Sequence, residues 1–425
     1  MDTKQFIADH LHDDVSELAL KYRNAKVDLT LALRQIEARQ LLQKKVPSWS
    51  ENDELLFPAR ISIEQCSSEA TAQYKASLMH GVSFADLTGG LGVDCFFISQ
   101  HFEHTDYVEA NPELCELARH NFAIPSASER RDLDNPTLAS GASAAWGSET
   151  LPIVTGVSKT RDLTIYNESA EDYLHHCGPL DALFIDPARR DVYGRKTVSI
   201  TDCTPNVVEL QELMLQKARR VMIKLSPMLD ISQALKELHH VKEIHVVAVE
   251  NECKELLFIL EPDFDGEPVF TCVNLQTEQP SVQFTQEEEK VATLQLAKEP
   301  ARYLYEPNAA IMKGGCYRLL TLRFDIQKLH RNSHLYTSVD LVENFPGRIF
   351  EIDDWAVYGK KATTLLDGVD KASIAIRNFP ITVAELRKKL RIGDGDQVYL
   401  FATTLSDERK VIIKTIKTVP LATRP

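Results

Sequence analysis

Phe84 to Asp94 reads FADLTGGLGVD, and the reading of this stretch decides the fold. Phe84, Ala85 and Leu87 make a short apolar run of strand character. Gly89, Gly90 and Gly92 then give the backbone access to positive φ and let a ligand approach closely. Val93, Phe96, Phe97 and Ile98 resume at helical spacing. Strand, glycine turn and helix start together form a nucleotide-cofactor site in an open α/β sheet. A lone glycine-rich loop is a weak signal, because many are plain turns, so its neighbours carry the decision.

Those neighbours alternate between strands and helices from Val82 to about Glu261. TDYVEA (105–110) is the second expected strand, followed by the helix ELCELARHNF. LTIYNES is the third, DALFID the fourth and ARRVMIKLS the fifth. EIHVVAVE and ELLFILE follow as a closing pair. This spacing predicts a parallel, doubly wound Rossmann-like sheet. Upstream, residues 1–80 read as a helical region, with Ser67 or Ser68 a candidate N-cap. Within the α/β domain, 81–262, the segment near 125–162 has little helix or strand signal and reads as a flexible insertion. After Pro262 the pattern becomes antiparallel. PVFTCVNL, SVQFT and YRLLTLRFD read as strands, and EPARYLYEPNAAIMKGG as a short helix bracketed by turns. Small α+β modules are expected at 263–340 and 341–425. In the second, GRIFEIDDW, ASIAIRNF, QVYLFATTL and KVIIKTIK are strands and TVAELRKKL is a helix.

A chain of 425 residues supports two to four domains. Its eight cysteines include no CxxC pair, which argues against a structural zinc site or a disulfide framework and for a reducing, cytoplasmic setting. MDTKQFIADHLHDDVSEL is acidic and amphipathic, unlike a signal peptide, and no apolar run reaches membrane-spanning length. The net charge is −14, yet Trp355 to Pro425 holds thirteen Lys/Arg against seven Asp/Glu. An acidic body with a basic tail points either to a polyanionic partner or to a solvated charged surface.

Acidic residues fall at successive expected strand ends, where ligands bind in such sheets. Asp86 precedes the glycine loop, Glu109 closes strand two in VEAN, Glu168 follows strand three in NESAED, and Asp186 closes strand four in FIDPARR. A carboxylate after strand two suits two ribose hydroxyls, which fits any adenosine cofactor, NAD included. The loop is not the tight GxGxxG, and strand four ends in Asp-Pro.

DLTGGLGVD, VEAN, NESAED and IDPARR resemble motifs I to IV of class I S-adenosylmethionine-dependent methyltransferases. Together with EQCSSEATAQYKAS, KLSPMLD, EPARYLYEPNAAIMK and FPGRIFE, they are similar to the THUMP-like-domain methyltransferases of bacteria. The resemblance covers nearly the whole chain. It implies a Rossmann-like class I methyltransferase sheet after a helical N-terminal region, then a ferredoxin-like module and a THUMP-like domain. It places Asp86, Thr88, Gly89, Gly90 and Gly92 around the methionine part of S-adenosylmethionine and Glu109 at the ribose. Glu168 and Ala170 lie near the adenine, and Gln65, Ser67 and Ser68 cover the cofactor. Asp186, Pro187 and Arg189 face the acceptor. No metal is implied.

In amino-methyltransferases of nucleic acids the fourth motif continues with a second proline and an aromatic. Ala188 and Arg189 replace them here. Arg189 suits stacking or phosphate contact. RNA uracil C5-methyltransferases need a nucleophilic cysteine after strand five, where IKLSPM has none; Cys253 reads as a buried small residue. THUMP domains bind structured RNA, so the resemblance implies an RNA partner, transfer or ribosomal, at Lys360, Lys361, Arg377, Arg387, Lys388, Lys389 and Arg391. The alternatives are a methyltransferase for a small molecule or a protein, and a cofactor-binding RNA module without catalysis.

Overall fold

The computed structural model describes residues 2–124, 162–188, 200–359, 362 and 364–417. The expected insertion at 125–162 lies outside these residues except for Asp162, and so does Arg189. Two compact units emerge: Met1–Lys224 with Glu237–His239 and Ile259–Asp263, and Leu225–Lys236 with His240–Phe258 and Phe264–Pro425.

In the first unit, β1 (Ser83–Asp86), β2 (His104–Val108), β3 (Asp162–Tyr166), β4 (Leu180–Ile185) and β5 (Ala218–Leu225) take the order β3-β2-β1-β4-β5. Every pairing among them is parallel. Central parallel strands are covered on both faces, so they read as apolar runs rather than alternating ones. Phe84, Ala85, Leu183 and Phe184 are accordingly buried.

Helices precede this sheet, as the sequence predicts. Phe6, Leu18, Ala32 and Ile36 form their small core. The 17-residue helix Leu29–Lys45 carries Gln35 and Arg39 on its buried side. The Gln35 amide donates to the Phe57 carbonyl at 2.9 Å and accepts from the Phe57 N–H at 3.1 Å. The Arg39 guanidinium donates to the Leu55 and Asp53 carbonyls at 2.9 and 3.2 Å. These bonds satisfy buried polar groups and hold the 52–57 loop on the helix.

The second unit holds β6 (Val241–Val249), β7 (Glu252–Leu260), β8 (Val269–Leu275) and β9 (Val282–Phe284), in the order β7-β6-β8-β9. Glu250 and Asn251 both take positive φ, +48° and +70°, so β6 and β7 form a hairpin with a primed two-residue turn. PVFTCVNL departs from its reading as part of an antiparallel module. It lies parallel to β6 and antiparallel to β9.

A seven-stranded sheet follows: β10 (Tyr303–Pro307), β11 (Gln327–Lys328), β12 (Tyr336–Ser338), β13 (Gly347–Val357), β14 (Ser373–Arg377), β15 (Tyr399–Thr404) and β16 (Lys410–Lys417), ordered β11-β12-β10-β13-β16-β15-β14. Residues of β15 and β16 alternate between its faces, while β13 breaks register between Ile352 and Asp354. Phe401, Val411 and Ile413 join one core cluster, and Leu400, Ala402 and Ile412 the other. Both faces are therefore covered. Two local expectations fail here. YLYEP is strand β10, not helix, and LLTLR within YRLLTLRFD is the helix Leu319–Arg323. Leucine and arginine favour helix, and a short apolar run does not fix the period.

Candidate functional site

The site starts where β1 ends. The Leu87 N–H donates to the Phe184 carbonyl and the Gly89 N–H to the Val108 carbonyl, each at 2.9 Å. The chain is thus pinned to β4 and β2 before it turns. Gly90 and Gly92 take φ of +56° and +89°, the left-handed region that other residues enter at a cost. Gly89 is demanded by space. A Cβ there would lie 2.2 Å from the Tyr107 ring, whose hydroxyl donates to the Gly90 carbonyl at 2.6 Å. A Cβ on Gly90 would meet only the Thr88 carbonyl, at 3.6 Å, so the loop is open on that side. The helix Val93–Ile98 follows, with Gly92 as its N-cap.

Four acidic side chains stand at the strand ends, as the sequence predicts. Asp86 is 1 % exposed. Its Oδ1 accepts from the Thr88 N–H at 3.0 Å, and its Oδ2 has no hydrogen-bond partner. Glu109 accepts from the Gly90 N–H at 2.9 Å and from the Asn111 N–H at 2.8 Å. One carboxylate oxygen faces each donor, and each oxygen keeps a lone pair free. The Asp186 N–H donates to the Thr88 hydroxyl at 2.7 Å, which couples strand four to the glycine loop. Glu168 pairs with His176 at 2.9 Å. Ala170 is buried in the first turn of the helix Ala170–His176, capped by Ser169. Pro187 is buried, and Ala188 exchanges two backbone hydrogen bonds with Thr204 at 2.7 and 3.0 Å.

Gln65, Ser67 and Ser68 divide their roles, and of the two N-cap candidates Ser68 is the one used. Ser68 caps the helix Glu69–Ser77 by accepting from the Thr71 N–H at 3.3 Å. Gln65 is exposed at the end of the helix Arg60–Gln65. The Ser67 hydroxyl donates to Asp94 at 2.7 Å and accepts from Lys75 at 3.2 Å.

Lys75 and Lys224 organise the charge. Lys75 is fully buried, with its ammonium 3.2 Å from the Asp94 carboxylate. Lys224, near the end of β5, is 4.0 Å from Asp94 and donates to the Asp186 carboxylate. Burial alone would raise the Asp94 pKa, but Lys75 and Lys224, helped by Ser67, hold it below the ordinary Asp value. Asp86 goes the other way. Burial lifts its carboxyl well above the ordinary range, the Thr88 N–H offsets part of this, and Asp94, Asp186 and Glu109 add to the rise. Lys75 was not singled out from sequence. Its signal is positional, since it shares a helix face with the buried Thr71, Ala72 and Ala76.

Among the described residues no thiol is activated at this site: burial raises the pKa of Cys66, whose charged neighbours include Asp94 and Lys224. Cys253 is half-buried, and burial pushes its thiol up to about 11, the wrong direction for a nucleophile.

The tail helix Val383–Leu390 forms as read, opened by a capping box between Thr382 and Glu385. Two of its neighbourhood's expected RNA contacts are engaged internally. Arg377 pairs with the buried Glu306 at 2.5 Å, and Arg348 pairs with the same carboxylate. Arg387 donates to the Gly393 carbonyl at 2.5 Å and to Asp394 at 2.8 Å. Lys388, Lys389 and Arg391 are exposed. Lys360 and Lys361 lie outside the described residues. No described helix is long and apolar enough to cross a membrane.

Known proteins bear on this arrangement at three levels. Residues 303–346 match a ferredoxin-like domain and residues 347–415 a THUMP domain-like family. Among proteins of curated function, none matches the chain by sequence. The crystal structure of a Porphyromonas gingivalis W83 protein classed as a methyltransferase is 30% identical, covers 98% of both chains and superposes with a TM-score of 0.80. Shorter proteins match far less. The Escherichia coli protein yhhF, also classed as a methyltransferase, is 14% identical over 46% of this chain and 85% of its own, with a TM-score of 0.28. M. capricolum TrmK, in complex with S-adenosyl-homocysteine, is 9% identical over 49% of this chain and 71% of its own, with a TM-score of 0.29. Scores this low bear on neither activity nor substrate. The full-length match, the two C-terminal domains and the motif-bearing sheet agree: the chain belongs to the class I S-adenosylmethionine-dependent methyltransferases that carry ferredoxin-like and THUMP-like domains.

Proposed function

We propose that this enzyme methylates RNA, a transfer or ribosomal RNA, with the β1 loop holding the cofactor and Asp186 orienting the acceptor. The observation that carries the cofactor half is the orphaned Oδ2 of Asp86. A buried carboxylate oxygen without a partner costs stability unless a ligand supplies a donor, and an ammonium of the methionine part does so. The open face of Gly90 admits that part, with Thr88, Gly89 and Gly92 shaping the turn. The free lone pairs of Glu109 suit a ribose diol. Glu168 and Ala170 border the adenine, and Gln65, Ser67 and Ser68 close the site from the helical side, Ser67 through Asp94.

S-adenosylmethionine supplies an activated methyl group when bound. The protein must then position a nucleophile and keep water out, which is a large part of the rate. Asp186 is built for positioning. Its backbone is tied to Thr88 and its carboxylate to Lys224, and the buried Pro187 follows it. Arg189 is our candidate for phosphate contact beside the acceptor.

The THUMP-like match at 347–415 and the exposed Lys388, Lys389 and Arg391 support RNA docking at the tail. Calorimetric titration with S-adenosylhomocysteine, with Asp86→Ala as control, tests the cofactor half. The acceptor half is tested by labelled methyl transfer to total RNA from a strain lacking the gene. Label entering one RNA species is expected, and its absence from all RNA refutes the reading. The engagement of Arg377 and Arg387 by internal partners favours a second reading, a protein or small-molecule acceptor, for which label stays out of RNA.

A further inference from the structure

We infer that Asp86 is the proton-releasing counter-ion of the cofactor: it is neutral in the free enzyme and ionises as it pairs with the ligand's α-ammonium. The inference rests on the reading of the β1 loop as the cofactor site.

The geometry separates two buried carboxyls. Asp94 and Asp86 flank the same glycine loop. The nearby cations are committed elsewhere: Lys75 sits 3.2 Å from Asp94, and Lys224 bridges Asp94 and Asp186. Asp86 has neither. Among the described residues, the groups facing it are Asp94 from the helix Val93–Ile98, Asp186 from the end of β4 and Glu109 from the end of β2, all acidic, with the Tyr107 phenol nearby. A buried carboxyl among acids, without a cation, stays protonated. Burial raises Asp86 in that same direction.

A purely structural role would need only half of this side chain. Oδ1 already holds the turn through the Thr88 N–H, in the manner of an Asx turn. Oδ2 is buried and has no such duty. An arriving ammonium gives Oδ2 a partner and supplies the missing positive charge. The carboxyl proton then leaves to solvent, and charge balances. Linkage sets the sign: the bound state holds fewer protons, so affinity rises with pH below the free-enzyme midpoint of Asp86, by up to about tenfold per pH unit.

The test is titration of the full chain with S-adenosylhomocysteine at about pH 6, in phosphate and in bis-Tris, whose ionisation heats differ. Wild type should release measurably more protons than Asp86→Asn, which keeps the turn-holding oxygen and has no proton to give. Methylthioadenosine, which lacks the ammonium, should bind wild type without that release. Equal proton counts for wild type and Asp86→Asn, or equal release with methylthioadenosine, overturn the inference while leaving the cofactor site intact. Absence of any S-adenosylhomocysteine binding by wild type overturns the site reading itself, and this inference with it.

Discussion

Replacing Lys75 with methionine should destabilise the first unit through Asp94. Lys75 is fully buried and Asp94 nearly so, so methionine fills similar space but leaves a buried carboxylate short of its nearest cation. Breaking a buried pair from one side costs about 3–5 kcal/mol. Ser67 and Lys224 stay with Asp94, so the low end, about 3 kcal/mol, applies here. With a urea slope of about 3 kcal/mol/M for a unit of this size, the midpoint should fall by about 1 M. Trp49, packed on Phe96 in the first unit at 5.6 Å, reports the transition by fluorescence once the other two tryptophans are phenylalanine. The pH dependence has a definite sign. The folded-state pKa of Asp94 lies below its ordinary value, so its contribution is present above the unfolded-state Asp pKa, about 3.9, and is lost as pH falls through the folded one. The gap between wild type and Lys75→Met should therefore be full at neutral pH and close in acid. Adding Asp94→Asn to Lys75→Met should recover about 1–3 kcal/mol as coupling energy. A Lys75→Met midpoint within about 0.2 M of wild type, or additive single effects, would refute the argument that this pair is the electrostatic anchor of the helix Glu69–Ser77.

Three further outcomes follow from the same geometry. Gly89→Ala forces the Tyr107 ring away from the loop, at about 1–3 kcal/mol, and calorimetry should show S-adenosylhomocysteine affinity at least about tenfold weaker. Lys224→Met frees the Asp186 carboxylate to rotate, so methyl transfer should fall by about tenfold or more while S-adenosylhomocysteine affinity stays within about threefold, and Lys224→Arg should restore part of the rate. Glu306→Gln leaves Arg348 and Arg377 without their shared carboxylate; because both arginines are partly solvated, the loss should be about 2 kcal/mol, seen as faster hydrogen exchange in β10 and β13.

The parallel sheet was legible because its signals are local and redundant. Each strand is a short run with an apolar centre, each is followed by a helix, and an acidic residue marks the end of each of the first four. Parallel βαβ units impose that rhythm on any sequence that folds this way. The C-terminal half was less legible for the same reason in reverse. Most pairings of its seven-stranded sheet are antiparallel, β14 with β15 excepted, and several are distant: β10 at Tyr303 pairs with β13 at Glu351, and nothing local marks such a partner. There the helix-forming residues after Asn308 drew YLYEP into a helix reading, and the short run LLTLR fitted either period. Tertiary pairing decided both.

Legibility within the site divides along chemistry rather than distance. Asp86, Glu109 and Asp186 announced themselves, because an acidic residue at a strand end is conspicuous in sequence. Of the cations that answer them, Lys224 is visible in sequence at the end of strand five, as a residue of the site rim or of an ion pair, and Lys75 is not. Lys75 comes from a helix that precedes the sheet, and Lys224 from a strand whose pairing with Asp186 spans 38 residues of sequence. A lysine looks like surface until its neighbours are known. Yet these two decide how the acids differ: Asp94 and Asp186 are matched and Asp86 is not. The β1 loop therefore owes its readiness for a cationic ligand to where Lys75 and Lys224 are, and to the buried Asp86 carboxyl that they leave unmatched. That dependence is why Lys75→Met and Asp86→Asn belong in the same set of measurements. The first unbalances a pair the fold has completed, and the second removes the imbalance the fold has kept.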